Sequence, residues 1–108
     1  MDPTAELETL RAMCEGAEMW TETGQPVAYL PRFRFKVRGE ERVADLLLVP
    51  FAHSGYETRL FFRQPQTTDQ AWYNIVVCGQ SWHAVSWRGV MPDLPWRQIL
   101  AAHLRALA

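Results

Sequence analysis

Cys78 has the widest choice of chemistry of any residue in this sequence. A thiol can accept an acyl group from another thioester at little energetic cost, and the group can then pass to an amine. The cysteine ends the β-branched run Ile75-Val76-Val77 and is followed by Gly79, so its sulfur stands where a strand gives way to a turn. Its competing role is a small hydrophobe closing a buried strand, because free cysteine is among the most buried residue types.

Three further residues could assist that thiol. Asn74 lies four residues before Cys78 and His83 five residues after it. Transfer to an amine passes through an oxyanion, and one positioned donor is worth on the order of 10²–10³ in rate. Asn74 shares a strand face with Cys78 but lies about 13 Å away, so it could donate only if the chain bends. Otherwise it is an edge or loop hydrogen-bonder. His83 could fold back as a donor or base, or be an exposed loop histidine without a role. Asp93 could orient or deprotonate an incoming lysine, cap the helix that follows, or do both.

Other candidates fall away. Cys14 is on the apolar stripe of the first helix and reads as core. His103 borders the last helix's apolar stripe as a packing residue, and nothing in the sequence argues for a role of His53 in its polar loop. Cys78 and His83 form a Cys-x4-His pair, but no second pair has ligand spacing, so no metal is expected. There is no Gly-rich phosphate loop, and the chain is small for a protease cleft. No cofactor is expected.

The elements that position these residues can be read in outline. The 108 residues are 48% hydrophobic and 21% charged, which suits a single domain over 1–108 with one core. A net charge of −1 gives no electrostatic reason to seek nucleic acid or an anionic membrane. The longest apolar run, Leu46 to Val49, is far too short to span a bilayer, and Met-Asp-Pro does not begin a secretory signal. Cytoplasm is therefore the expected location. Two cysteines are too few for a disulfide framework, so both are expected to be free thiols.

Asp2-Pro3 suits a helix start, and Leu7, Leu10, Cys14 and Ala17 follow helical spacing, which predicts a helix near residues 3–18. Tyr29, Phe33, Phe35 and Val37 then alternate with Arg32, Arg34, Lys36 and Arg38. Residues 42–49 form a second strand. In a third, Tyr56, Thr58, Leu60 and Phe62 oppose Glu57, Arg59 and Arg63. Residues 72–78 form a fourth, and 79–92 have no clean period. Asp93 then caps a helix near 94–107 whose stripe is Trp96, Ile99, Leu100, Leu104 and Leu107. The expected fold class is α+β: a four-stranded antiparallel meander with an N-terminal and a C-terminal helix on one face. The basic face of Arg32, Arg34, Lys36 and Arg38 lies opposite the aromatics, which argues against an RNA-stacking platform. It is either a solvated strand face or a docking patch for an acidic protein.

The second half of the chain resembles the ubiquitin-conjugating enzymes, particularly their small prokaryotic branch. The similarity rests on Ile75-Val76-Val77 leading into Cys78, on Trp87 nine residues later, and on the helix Trp96-Arg97-Gln98-Ile99-Leu100. It implies that family's fold over roughly residues 27–107 and a carrier that receives a ubiquitin-like protein on Cys78 as a thioester. The donor would be an activating enzyme and the acceptor an amine on a target, in a setting such as bacterial antiviral defence. The partners implied are the ubiquitin-like protein and the activating enzyme, the latter docked on the first helix and the basic strand face. The family's His-Pro-Asn tripeptide is absent, with Gln66-Thr67-Thr68-Asp69-Gln70 in that region. That absence favours the alternative: a non-catalytic domain of the same fold that binds a ubiquitin-like protein or scaffolds a complex.

Overall fold

A computed structural model describes residues 2–107. The chain runs α1 (Pro3–Arg11), β1 (Glu18–Glu22), β2 (Gln25–Val37), β3 (Glu40–Val49), β4 (Arg59–Phe62), β5 (Tyr73–Val77), β6 (Gln80–Ala84) and α2 (Trp96–Leu104), ending in a 3-10 turn at Arg105–Leu107. All six strands form one antiparallel sheet in the order β1-β2-β3-β4-β6-β5. This is mostly sheet with two short helices, and it overturns the expected four-stranded meander of the ubiquitin-conjugating type.

Two strands escaped the sequence reading. The first helix stops at Arg11, short of the expected end near residue 18, and Glu18–Glu22, which carried no strand signal, form β1. The segment without a clean period contains β6, which returns from β5 through the tight turn Cys78-Gly79. Cys78 and Gly79 have φ of 51° and 72°, the left-handed pair that a two-residue hairpin turn requires.

A bulge in β2 corrects the reading of faces. The pairing with β3 shifts between Leu30 and Phe33, where Arg32 has φ 47°. Pro31 has no amide hydrogen to donate there, and the Arg32 amide donates to Asp45 Oδ1 at 2.8 Å. The extra residue reverses the side-chain parity. Ala28 and Leu30 therefore share a face with Phe33, Phe35 and Val37, whereas Tyr29 is on the opposite face.

Both faces of the sheet have a core. The helices cover one, where Leu7, Leu10, Ile99 and Leu100 meet Leu30, Phe33, Phe35, Leu46, Leu48, Leu60 and Phe62. The other face curls onto itself around Val27, Leu47, Phe61, Val77 and Trp82. In a flat sheet four strand spacings separate β1 from β6, about 19 Å. The Trp20 and Trp82 rings are 6.4 Å apart, so the strong curl of the sheet brings these strands together. The run Leu46–Val49 is buried on both faces for this reason.

Asp2 caps α1, its side chain accepting from the Thr4 amide at 3.1 Å, with Pro3 in the first turn. Asp93 does not cap α2. Pro95 occupies that position, and Glu6 of α1 instead accepts the Trp96 amide hydrogen at 2.8 Å. A carboxylate there also complements the helix dipole.

His103 is buried on α2 with 7% of its surface exposed. Thr58 gives its only hydroxyl proton to Val90 O at 2.8 Å, so at 2.9 Å it must accept from His103 Nε2. Burial, with the Arg59 charge second, pushes this imidazole's pKa down to about 4 from 6.5. Between those pH values the unfolded chain binds a proton that the folded chain refuses. The stabilisation is complete above about pH 6.5 and is lost as the pH falls towards 4, for a total of about 3 kcal/mol. Urea melts at pH 7.5 and pH 4.5 should show that loss, and His103→Gln should lack most of it. An equal pH dependence in the two proteins would contradict this origin.

Candidate functional site

Cys78 meets residues from two distant loops. The end of β1 brings Glu22 beside the β5–β6 turn, where its Oε1 accepts the Cys78 amide hydrogen at 3.0 Å. The other oxygen, Oε2, lies 2.7 Å from His53 Nε2. His53 Nδ1 is 3.1 Å from Ser54 Oγ, and the imidazole edge packs against Phe61. The Cys78 thiol donates to Thr21 O at 3.3 Å. Glu22, His53 and Cys78 each sit at or beside a tight turn, namely Thr23-Gly24, Ser54-Gly55 and Cys78-Gly79. The curl of the sheet brings these turns together, and the Glu22 carboxylate ties them.

The left-handed conformation does not single out Cys78. Thr23, Arg38 and Ser54 adopt it too, each before a glycine. It is the turn grammar of this fold rather than strain reserved for one residue.

The electrostatics hold the sulfur as a thiol. Burial raises the Cys78 pKa, and the negative charge on Glu22 raises it further. Burial would also raise the pKa of Glu22, but hydrogen bonds from His53 and the Cys78 amide outweigh this and lower it. A nucleophilic cysteine needs a base or a positive charge at its sulfur. Among the described residues no hydrogen bond joins His53 to Sγ, because its Nε2 is spent on Glu22. The Cys78 amide, a natural oxyanion donor, is spent on Glu22 as well. The cluster works as a clasp that holds three turns together.

The residues expected to assist Cys78 are elsewhere. Asn74 and His83 face each other across β5 and β6. Asn74 Oδ1 accepts from Ser81 Oγ at 2.7 Å, and His83 Nδ1 lies 3.1 Å from Arg63 O. The strand between Asn74 and Cys78 stays in regular register, so the required bend is missing. Asp93 is exposed in the turn before α2, and α2 packs on the sheet face opposite the one that holds Cys78. Cys14 is buried and donates to Pro31 O at 3.4 Å. Among the described residues no three His, Cys, Asp or Glu side chains are grouped to hold a metal ion.

The basic residues of β2 do not make one surface with α1. Arg34 and Lys36 point away from the helices, while Phe33 and Phe35 point towards them. Lys36 lies opposite Glu41 in β3, and Arg38 pairs with Asp69. These acids temper the charge of the patch.

Sequence reasoning missed Glu22 and His53. Their partners lie 56 and 31 residues away, and no local pattern marks them. Alternation sets Arg59 opposite the apolar face of its strand, yet the curled sheet buries it to 4% exposure.

No family model, no curated protein and no solved structure matches this chain. Among the described residues no helix is long and apolar enough to cross a membrane.

Proposed function

We propose that this chain is a non-catalytic protein-binding domain and that its partner is a ubiquitin-like protein. The observation that carries the binding reading is the open margin of β5. This strand ends the sheet, and its residues Tyr73, Asn74, Ile75, Val76 and Val77 include no charge. Tyr73 is 51% exposed and Val76 68% exposed. Exposed edge strands are usually blunted by charge, proline or a cover. An uncharged edge with exposed apolar side chains suits an extended partner segment added as a further strand. The other edge, β1, has Glu18 and Glu22 at its ends. The choice of a ubiquitin-like partner rests on the sequence resemblance around Ile75 to Cys78, Trp87 and the last helix alone, since the fold that resemblance implied is not the one observed. A cytoplasmic setting in bacterial antiviral defence belongs to the same proposal.

Val76→Glu tests the edge. Its side chain faces solvent, so stability should change by no more than about 0.5 kcal/mol. Affinity for the ubiquitin-like protein, measured by calorimetry, should fall about tenfold, equivalent to about 1.4 kcal/mol. Unchanged affinity would move the binding surface elsewhere.

The carrier is the second reading, and one observation favours it. Cys78 is only partly buried, whereas Cys14 is buried. Glu22 beside it could also draw an incoming lysine amine, the task first considered for Asp93. Against it stand the raised thiol pKa and the absence of a hydrogen bond from His53 to the sulfur.

A further inference from the structure

Arg59 has a buried guanidinium whose charge no carboxylate balances among the described residues. Its Nη1 donates to Ser54 Oγ at 2.8 Å and its Nη2 to Val85 O at 3.2 Å. An arginine side chain has five N–H donors, and both partners here are neutral. The guanidinium carbon lies 4.1 Å from the centre of the Tyr56 ring. Arg88 places a second guanidinium 4.4 Å from the centre of the same ring. The Tyr56 hydroxyl donates to Ser86 Oγ at 2.6 Å, fixing the ring between strand and loop. Burial works against the Arg59 charge, and so does the nearby Arg88. Arg88 is exposed and has the Glu57 carboxylate near it, so the uncompensated charge is that of buried Arg59, which is costly unless something negative joins it.

An open groove of about 460 Å³ adjoins this cluster, lined by Tyr56, Arg59, Tyr73, Asn74, Ile75 and Ser86. It therefore has a cationic end and a side formed by the first residues of β5. We infer that this groove is an oxyanion site in which Arg59 receives the carboxylate or phosphate oxygens of a ligand lying beside Tyr73 and Ile75. A planar guanidinium matches either oxyanion with paired donors. Ser86 and Asn74 supply further polar contacts at the rim. The site stands on Arg59 and its surroundings, whatever the protein partner proves to be.

Three probes in chloride-free buffer test it by amide and arginine Nε–H chemical shifts. They are N-acetyl-glycylglycine with a free carboxylate, the same peptide as its amide, and inorganic phosphate. Saturable shifts at Arg59 and Tyr73 to Ile75 with the free acid but not the amide support the site and make a terminal carboxylate its ligand. The same shifts with phosphate alone support it and make a phosphate group the ligand. Equal shifts with acid and amide and none with phosphate would overturn it, as would no shift with any probe. Arg59→Gln should weaken binding about tenfold to a hundredfold, the scale of a hydrogen bond to a charged group. That buried change can also unfold the protein, so Asn74→Asp on the exposed rim of the groove is the second variant. It keeps an acceptor for Ser81 and sets a negative charge beside the ligand, so it should weaken binding about fivefold with an unchanged melting temperature. Full affinity in the Asn74→Asp protein would place the anion outside this groove and overturn the proposal.

Discussion

Trp82→Ala should destabilise the fold by about 3–5 kcal/mol, the usual range for truncating a buried tryptophan. Trp82 is fully buried at the centre of the core that the curled sheet makes with itself. Trp20 and Tyr29 meet it edge-on at 6.4 and 6.3 Å, and the Arg63 guanidinium lies 4.1 Å from its ring centre. Removing it leaves a cavity that three separate strands would have to move to fill. For a domain of this size the melting temperature should drop by on the order of 12–20 °C. Trp82→Phe separates packing from polarity. The indole Nε1 is buried with no hydrogen-bond partner, so phenylalanine loses ring volume but also removes an unsatisfied donor. It should cost less than about 2 kcal/mol. A phenylalanine variant as unstable as the alanine one would show that the orphan donor carries no penalty.

The second large effect is expected at Trp96→Ala, again about 3–5 kcal/mol. Trp96 opens α2 and is buried in the core shared by the helices and the sheet. Its backbone amide is the group that Glu6 caps, and alanine keeps that amide. The loss therefore reports side-chain packing and leaves the cap in place. A melting curve unchanged within error would mean that α2 presents a different face to the sheet. The two tryptophans lie in separate cores on opposite faces. The double variant's loss should then be close to the sum of the single losses.

Local signals in the sequence suffice where one neighbour decides the structure. Asp2-Pro3 marks the helix start, and the apolar run Leu46 to Val49 marks a central strand. Alternation was misleading where a distant contact decides. The bulge at Arg32 is held by Asp45 accepting its amide, so alternation alone assigns Tyr29 to the wrong face. Arg59 alternates as a solvent-facing residue would, but the curled sheet covers both its faces. Strand β6, Gln80–Ala84, has too many polar residues to show a strand period. Its signal was the turn: Gly24, Gly39, Gly55 and Gly79 each follow a left-handed residue, and a Cys-Gly pair could have been weighed as a hairpin. The candidate site was legible as one residue, Cys78. Its partners Glu22 and His53 come from turns that only the completed curl brings near.

The non-catalytic reading meets its most direct test in one reaction. The protein is mixed with a ubiquitin-like protein, its activating enzyme and ATP, with adenylation of the ubiquitin-like protein verified. The products are run on denaturing gels with and without thiol reductant, and reversible binding is measured alongside. The expected result is a reversible complex with no reductant-labile band, because the Cys78 thiol is held protonated beside Glu22. A labile band that disappears in Cys78→Ser and persists in Cys14→Ser would contradict the non-catalytic reading and establish Cys78 as a carrier.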